Sequence, residues 1–255
     1  MTAYLDRFGG IARLYGTEAL ARFQSARVAV VGVGGVGSWA VEALARSGVG
    51  SLTFWDLDDV CVSNTNRQSH TTTDTLGQFK VDVLAERCRA INPDIEVAPR
   101  QQFLTPGNLD DSTLADHDFV IDAIDSVPVK VALVLALREA GVPYVLTGGA
   151  GGQTDPTQIR RADLSAAVQD PLAARVRQML RREHGFPGGG RRMKVPCIYS
   201  QEPLVYPQPD GTVCATRHPD AGNNLNCAGG FGASMAVTAT FGMVAVAAAL
   251  EALSA

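Results

Sequence analysis

What this chain lacks narrows it first. It has no C-x-x-C pair. Its five cysteines, Cys61, Cys88, Cys197, Cys214 and Cys227, are odd in number and far apart, so neither a zinc clamp nor a disulfide framework is indicated. The first ten residues carry Asp6 and Arg7 and have no apolar core, which argues against a signal peptide and makes a reducing cytoplasm the expected compartment. A positive overall balance is missing too: a net charge of −4 and a pI near 5.6 argue against a protein that simply coats nucleic acid. No internal repeat is evident. Only one stretch, Cys227 to Leu250, is both uncharged and long enough to span a bilayer. It is built mainly from Ala, Gly, Thr, Ser and Val, with Leu and Phe sparse. It therefore reads as a buried helix in tight contact with another helix, and membrane contact is not the expectation.

What is present suits a globular enzyme. With 46% hydrophobic and 19% charged residues over 255, the chain can bury a real core. The acidic average conceals an asymmetry. Between Arg160 and Lys194 lie nine basic residues against Asp163, Asp170 and Glu183, a net of +6 that leaves −10 for the rest. Such a face is the footprint of a nucleic-acid substrate, although a solvated arginine-rich helix would give the same count.

Strand and helix patterns alternate. Residues 1–26 form a helical arm broken at Tyr15-Gly16, with an N-cap expected at Thr17. The apolar run Val28–Val31 is a buried strand, followed by a glycine turn and a helix from Ser38 to Ser47 that Gly48 stops. Strands follow at 51–55, 95–97, 119–121 and 144–146, with helices from Leu76 to Asn92 and from Pro128 to Gly141 between them. This spacing predicts an α/β fold: a doubly wound, Rossmann-like, mostly parallel sheet. From Gly148 the pattern changes to a smaller C-terminal α+β extension. It holds an edge strand at 158–160, a basic helix from Pro171 to Glu183 and a mobile glycine-rich segment from His184 to Pro196. Paired strands at 198–206 and 212–216 about an Asp210-Gly211 turn follow, then a last helix from about Gly232. Three units are expected: the arm (1–26), a nucleotide-binding core (27–150) and the extension (151–255).

The chemistry begins at Gly32-x-Gly34-Gly35-x-Gly37, between strand and helix. Glycines there allow a tight turn and let phosphate approach the helix N-terminus, and Asp56 at the end of the second strand is placed for ribose hydroxyls. Alone, this pattern means a nucleotide, with NAD the ordinary default. Asn66-Arg67-Gln68 and Lys80 then add two cations suited to a triphosphate. Asp122 and Asp125 lie at a strand's C-terminal end, where a carboxylate can hold a magnesium ion bridging phosphates.

At this point the residues resemble a known family. Gly-x-Gly-Gly-x-Gly, then Asp56-x-Asp58-x-Val60-x-x-Ser63-Asn64-x-Asn66-Arg67-Gln68, then Lys80 and Asp122-Ala123-Ile124-Asp125, is similar to the pattern of ubiquitin-activating-like adenylyltransferases of the ThiF/MoeB/HesA kind. The resemblance implies that ATP binds and that a carboxylate attacks its α-phosphate. By motif, Asp56 would hold the ribose, with Gly32, Gly34, Gly35, Gly37, Asp58, Asn64, Asn66, Gln68 and Asp122 also lining the nucleotide. Arg67 and Lys80 would contact phosphates, and Asp125 would be the magnesium-linked carboxylate. Arg7 resembles an arginine lent across a homodimer to the neighbouring site, with Arg13 as the fallback.

The paired zinc cysteines of the carrier-protein activators are absent. Over nearly its full length the chain looks instead like the tRNA threonylcarbamoyladenosine dehydratase branch, through Arg7 to Gly16, Val120 to Ser126, Thr147 to Gln158, Gln169 to Ala174, Leu204 to Gln208 and Cys227 to Gly242. That branch implies an ATP-dependent cyclisation on tRNA, with the basic segment gripping phosphates. The resemblance also makes Cys227 a candidate reactive thiol, against the plainer reading of an inert small side chain. The glycine-rich loop from Gly148 either presents carbonyls to a monovalent cation, K or Na, or is a plain turn. Two alternatives are kept: activation of a ubiquitin-like sulfur carrier, and a non-catalytic nucleotide-binding partner of a cysteine desulfurase. The missing zinc cysteines and the basic segment oppose the first; intact Arg67, Lys80 and Asp125 oppose the second.

Overall fold

A strand whose every residue is apolar must be covered on both faces. In the computed structural model, which describes residues 3–109, 114–216 and 231–255, the run at Val28 is β1 (Arg27–Val31). Its side chains alternate between two apolar layers, Val28 and Val30 in one, Ala29 and Val31 in the other. Two parallel neighbours flank it, β2 (Ser51–Trp55) and β4 (Phe119–Asp122), with Val30 opposite Phe54 on one side and Ile121 on the other. Outside β2 lies β3 (Glu96–Arg100), where Pro99 is tolerated because the strand is an edge. Beyond β4 come β5 (Tyr144–Thr147), β7 (Pro196–Ser200) and β6 (Ile159–Asp163), giving the order β3-β2-β1-β4-β5-β7-β6. Only β6 is antiparallel to its neighbour. The doubly wound, mostly parallel sheet expected from the pattern is the sheet observed, and β6 and β7 extend it from beyond residue 150.

Helices cover both faces. One layer holds α1 (Ala3–Tyr15), α2 (Thr17–Ser25), α3 (Gly37–Arg46), α4 (Lys80–Ile91) and α7 (Met235–Ser254), packed through Phe23, Leu44, Leu84 and Phe241. The other holds α5 (Val127–Ala140) and α6 (Pro171–Glu183), packed through Val134, Leu137, Val176 and Leu180. Helix α7 is the one helix among the described residues long and apolar enough to cross a membrane, and half of it is buried inside the molecule. Its small residues let it press on α3: a Cβ at Gly242 would lie 2.7 Å from the Val36 carbonyl oxygen. That close contact is what its composition suggested.

Four local expectations need correction. The second helix is capped by Gly16 at φ +92°, with Thr17 already inside it, because only glycine takes that angle without strain. The helix expected from Leu76 begins at Lys80. A 3-10 turn at Thr73–Thr75 comes just before, Gly77 at φ +80° breaks the intervening chain, and the Lys80 N–H donates to the Asp58 carbonyl. The long strand expected from Ile198 to Tyr206 is divided. Its first part is β7 in the main sheet, and only β8 (Tyr206–Pro207) pairs with β9 (Val213–Cys214) about the Asp210-Gly211 turn. The segment expected to be mobile after His184 is pinned at its far end, where Met193 and Val195 are buried and both their N–H groups donate to Asp163.

Gly50 marks the tightest approach of the α1–α2 arm to the sheet. Its N–H donates to the Phe23 carbonyl, and an added Cβ would collide with the Gln24 main chain. Gly50→Ala should therefore cost about 1–3 kcal/mol in urea unfolding. A loss below about 0.5 kcal/mol would show that the arm yields easily.

Candidate nucleotide site

In parallel sheets the C-terminal strand ends share one edge, and the crevice opens where chain order reverses. Here the reversal falls between β1 and β4. Gly32, at φ +83°, leaves β1 with its N–H on the Trp55 carbonyl. A Cβ at Gly32 would come within 2.7 Å of Ile124 Cγ2, and one at Gly37 would run into the Gly32 carbonyl oxygen, so both positions require glycine. No side chain caps the first turn of α3. The Ser38 N–H is taken by the Gly34 carbonyl, while the positive dipole end of the helix faces this edge, where an anion is favoured.

Asp56 ends β2 and is almost fully buried. Its Oδ2 accepts the Val33 N–H at 2.9 Å and its Oδ1 the Asp58 N–H at 3.0 Å. It thereby fixes the glycine turn, and each oxygen keeps lone-pair capacity for hydroxyls. Burial pushes its carboxyl above the usual range, and Lys80 with the two N–H donors opposes that. Lys80 itself is buried and pairs with the half-exposed Asp58 at 2.6 Å. The two residues are thus joined, at the mouth of the crevice.

The Asn66-Arg67-Gln68 stretch is held from several sides. Asn64 is buried and accepts the Cys61 N–H through Oδ1. Asn66 donates its amide to the Ala233 carbonyl at 2.7 Å and accepts the Arg67 guanidinium at 2.9 Å. The Arg67 carbonyl accepts from Trp39 at 2.9 Å and Thr238 at 3.4 Å. The start of α7 therefore braces the loop that carries Arg67. Gln68 is buried with its Nε2 towards Gly34.

The two carboxylates after β4 part company. Asp122, expected beside phosphates, is fully buried and paired with Lys130 at 2.9 Å. Asp125 is exposed, and its carboxylate makes no hydrogen bond or ion pair among the described residues. A magnesium ion needs one or two carboxylates beside phosphate oxygens and waters, which an unengaged Asp125 at the crevice suits. No cluster of three His, Cys, Asp or Glu able to hold a metal occurs among the described residues.

Arg7 does not reach this site within its own chain. Its guanidinium donates to the Ile91 carbonyl at 2.9 Å, at the end of α4 opposite Lys80, roughly 16 Å away along the helix. Arg13 lies in the last turn of α1. Cys227 lies outside the described residues. Cys197 is buried and burial pushes its thiol far up, and Cys88 is pushed up to about 12, so neither is a nucleophile. Lys130 and Trp39 escaped the sequence reading. Lys130 left a signal, as the one charge in the apolar run 127–137. Trp39 left none.

A glycine turn against a strand end, a helix N-terminus with no side-chain cap, two cations and an exposed carboxylate are the arrangement of a nucleotide-binding protein of the doubly wound class. The chain belongs to the ThiF family, whose model matches residues 9–255. It is 52% identical, over 98% of its length and 94% of the relative's, to the tRNA threonylcarbamoyladenosine dehydratase of Escherichia coli (strain K12). It is 45% identical, over the same shares, to the enzyme of that name from Haemophilus influenzae. Among solved structures, the E. coli dehydratase in complex with ATP superposes with a TM-score of 0.86 at 46% identity, covering 99% of this chain and 96% of that one. The E. coli molybdopterin-synthase adenylyltransferase is 39% identical, over 51% of each chain.

Behind the Arg67 loop sits His70, 1% exposed, with no partner for either ring nitrogen among the described residues. Burial, reinforced by Lys80 and Arg87, pushes its pKa down from 6.5 to about 3. The unfolded chain takes up a proton below pH 6.5 that the folded chain refuses until about 3. His70 thus removes stability as pH falls through that window, by up to about 1.4 kcal/mol per pH unit. Urea unfolding at pH 7 and pH 5 should show a smaller acid loss for His70→Gln than for the parent. Equal losses would clear the imidazole.

Proposed function

We propose that this chain uses ATP to activate the threonyl carboxylate of threonylcarbamoyladenosine at position 37 of tRNA and then closes it into a ring. One observation carries the reading. The E. coli and H. influenzae dehydratases match along nearly the whole chain, whereas a carrier-protein adenylyltransferase matches over only about half of each protein.

A carboxylate cannot be attacked directly, because its leaving group would be oxide. Attack of the carboxylate oxygen on the α-phosphorus expels pyrophosphate and joins AMP to the carboxyl. The neighbouring carbamoyl group of the same substrate then attacks the carboxyl carbon and AMP departs with the original oxygen, a net loss of one water from the nucleoside. Holding both groups in one molecule supplies a high effective molarity, so no protein nucleophile is required. The α3 N-terminus, Arg67 and Lys80 would stabilise charge growing on the phosphates. Asp56 would hold the ribose and Asp125 the magnesium ion. The loop from Gly148 would present carbonyls to a monovalent cation.

Of the nine basic residues in 160–194, several are committed internally: Arg161 pairs with Glu251 and Arg177 donates to the Leu164 and Ala167 carbonyls. Arg175, Arg182, Arg192 and Lys194 are exposed and their side chains make no hydrogen bond or ion pair among the described residues, and they are the cations we assign to tRNA phosphates. We also assign Arg7 to the neighbouring subunit's site in a homodimer, because its own site lies at the other end of α4.

Two measurements test this. Nucleosides from tRNA incubated with the protein, ATP and magnesium should lose one water by mass analysis, and Asp125→Ala should abolish the loss. An unchanged nucleoside alongside ATP–pyrophosphate exchange driven by a sulfur-carrier protein would sink the reading. Inactive Arg7→Ala and Asp125→Ala chains, mixed and reassociated, should recover about a quarter of parental turnover, since half the dimers then contain one intact site. No recovery would return Arg7 to a role within its own chain.

A further inference from the structure

Among the described residues Lys130 is the most buried cation, 1% exposed, and its partner Asp122 is 0% exposed. Its ammonium donates to Asp122 Oδ1 at 2.9 Å and to the Thr147 carbonyl at 2.7 Å. A side chain from α5 thereby ties together the last residues of β4 and β5. Thr147 Oγ1 donates back to the Asp122 carbonyl at 3.1 Å. Asp122 Oδ1 also accepts the Ile124 N–H at 3.2 Å, and the Ala123 N–H donates to the Val31 carbonyl at 2.8 Å. Ala123 and Ile124 then press on Gly32, so the path of the chain to Asp125 is set by this pair and the glycine turn together.

Stability does not account for the pair. Both charges give up their hydration, and Asp122 Oδ2 has no protein partner. Such buried pairs are commonly no more stabilising than apolar side chains of the same size. What the pair supplies is a fixed direction for the three residues that follow β4.

We propose that Lys130 is a positioning residue for Asp125, an ammonium that joins the ends of β4 and β5 and holds the 122–125 loop against Gly32. The inference rests on the adenylation reading above, in which Asp125 meets the metal and phosphates. It is tested in the full chain with Lys130→Arg and with the charge-free double variant Asp122→Asn, Lys130→Met, which leaves no unpaired buried charge if the single Lys130→Met does not fold. The double variant should melt close to the parent and keep its KM for ATP, while kcat for loss of water from the tRNA nucleoside falls about 100-fold. Lys130→Arg should restore most of that. Hydrogen exchange at the amides of 123–126, which needs no substrate, should speed up in the double variant while β1 stays protected. A folded double variant with parental kcat overturns the proposal. So does a fall in kcat accompanied by general loss of protection in β1, which is the signature of a merely structural pair. If the parent leaves the nucleoside unchanged, the functional reading fails and exchange alone decides: unchanged exchange at 123–126 overturns the positioning role, and selective loosening sustains it.

Discussion

The site depends on β1 being clamped between β2 and β4 in parallel. That pairing puts three strand ends at one edge, with Gly32, Asp56 and Asp122 as consecutive or terminal residues of the strands concerned. The Val31 carbonyl then receives the Ala123 N–H and the Gly32 N–H reaches the Trp55 carbonyl, so each loop leaving the edge is tied to the strand beside it. A Cβ at Gly32 has no room in this arrangement. The crevice is the consequence, and Gly34, Gly35 and Gly37 place no side chain over the α3 N-terminus.

Around that crevice the charges fall into two kinds. Asp56, Lys80 and Arg67 sit at its mouth and are held by one or two internal contacts each. Asp122, Lys130 and Asp170 lie deeper; Asp170 caps α6 through the Ala173 N–H and accepts the Gly149 N–H. Burial pushes the carboxyls of Asp122 and Asp170 up, with Lys130 opposing both. The second set fixes loops, and in the first Asp56 fixes the glycine turn as well. Sequence motifs mix buried and exposed groups, since Asp122 and Asp125 stand three residues apart in one motif, the first buried and the second exposed.

Much of the edge was legible in the chain. The apolar run at Val28, the glycines after it and the acid closing the next strand have a spacing that only a strand–turn–helix unit satisfies. The helix that carries Lys80 was legible, although it was expected to start four residues earlier, because an apolar pattern gives no warning of Gly77 in a left-handed turn. The strand from Ile198 was overextended because apolar residues resume at Leu204 to Tyr206, but β7 runs out of partners at Ser200, with the Glu202 carboxylate turned to the Thr154 and Asp155 N–H groups. Trp39 and Thr238 could not have been found, since each acts on Arg67 across a contact between distant segments.

The sequence by itself determined the element types, the glycine turn and the identity of the ionisable groups, because these follow from local sterics and periodicity. Tertiary structure decided which of those groups face the crevice. Burial turned Asp122 inward to Lys130, left Asp125 outside, and carried Arg7 to the far end of α4. Those outcomes depend on which elements meet in space, and on the cost of removing a charge from water without a partner. Neither quantity is a property of any single segment.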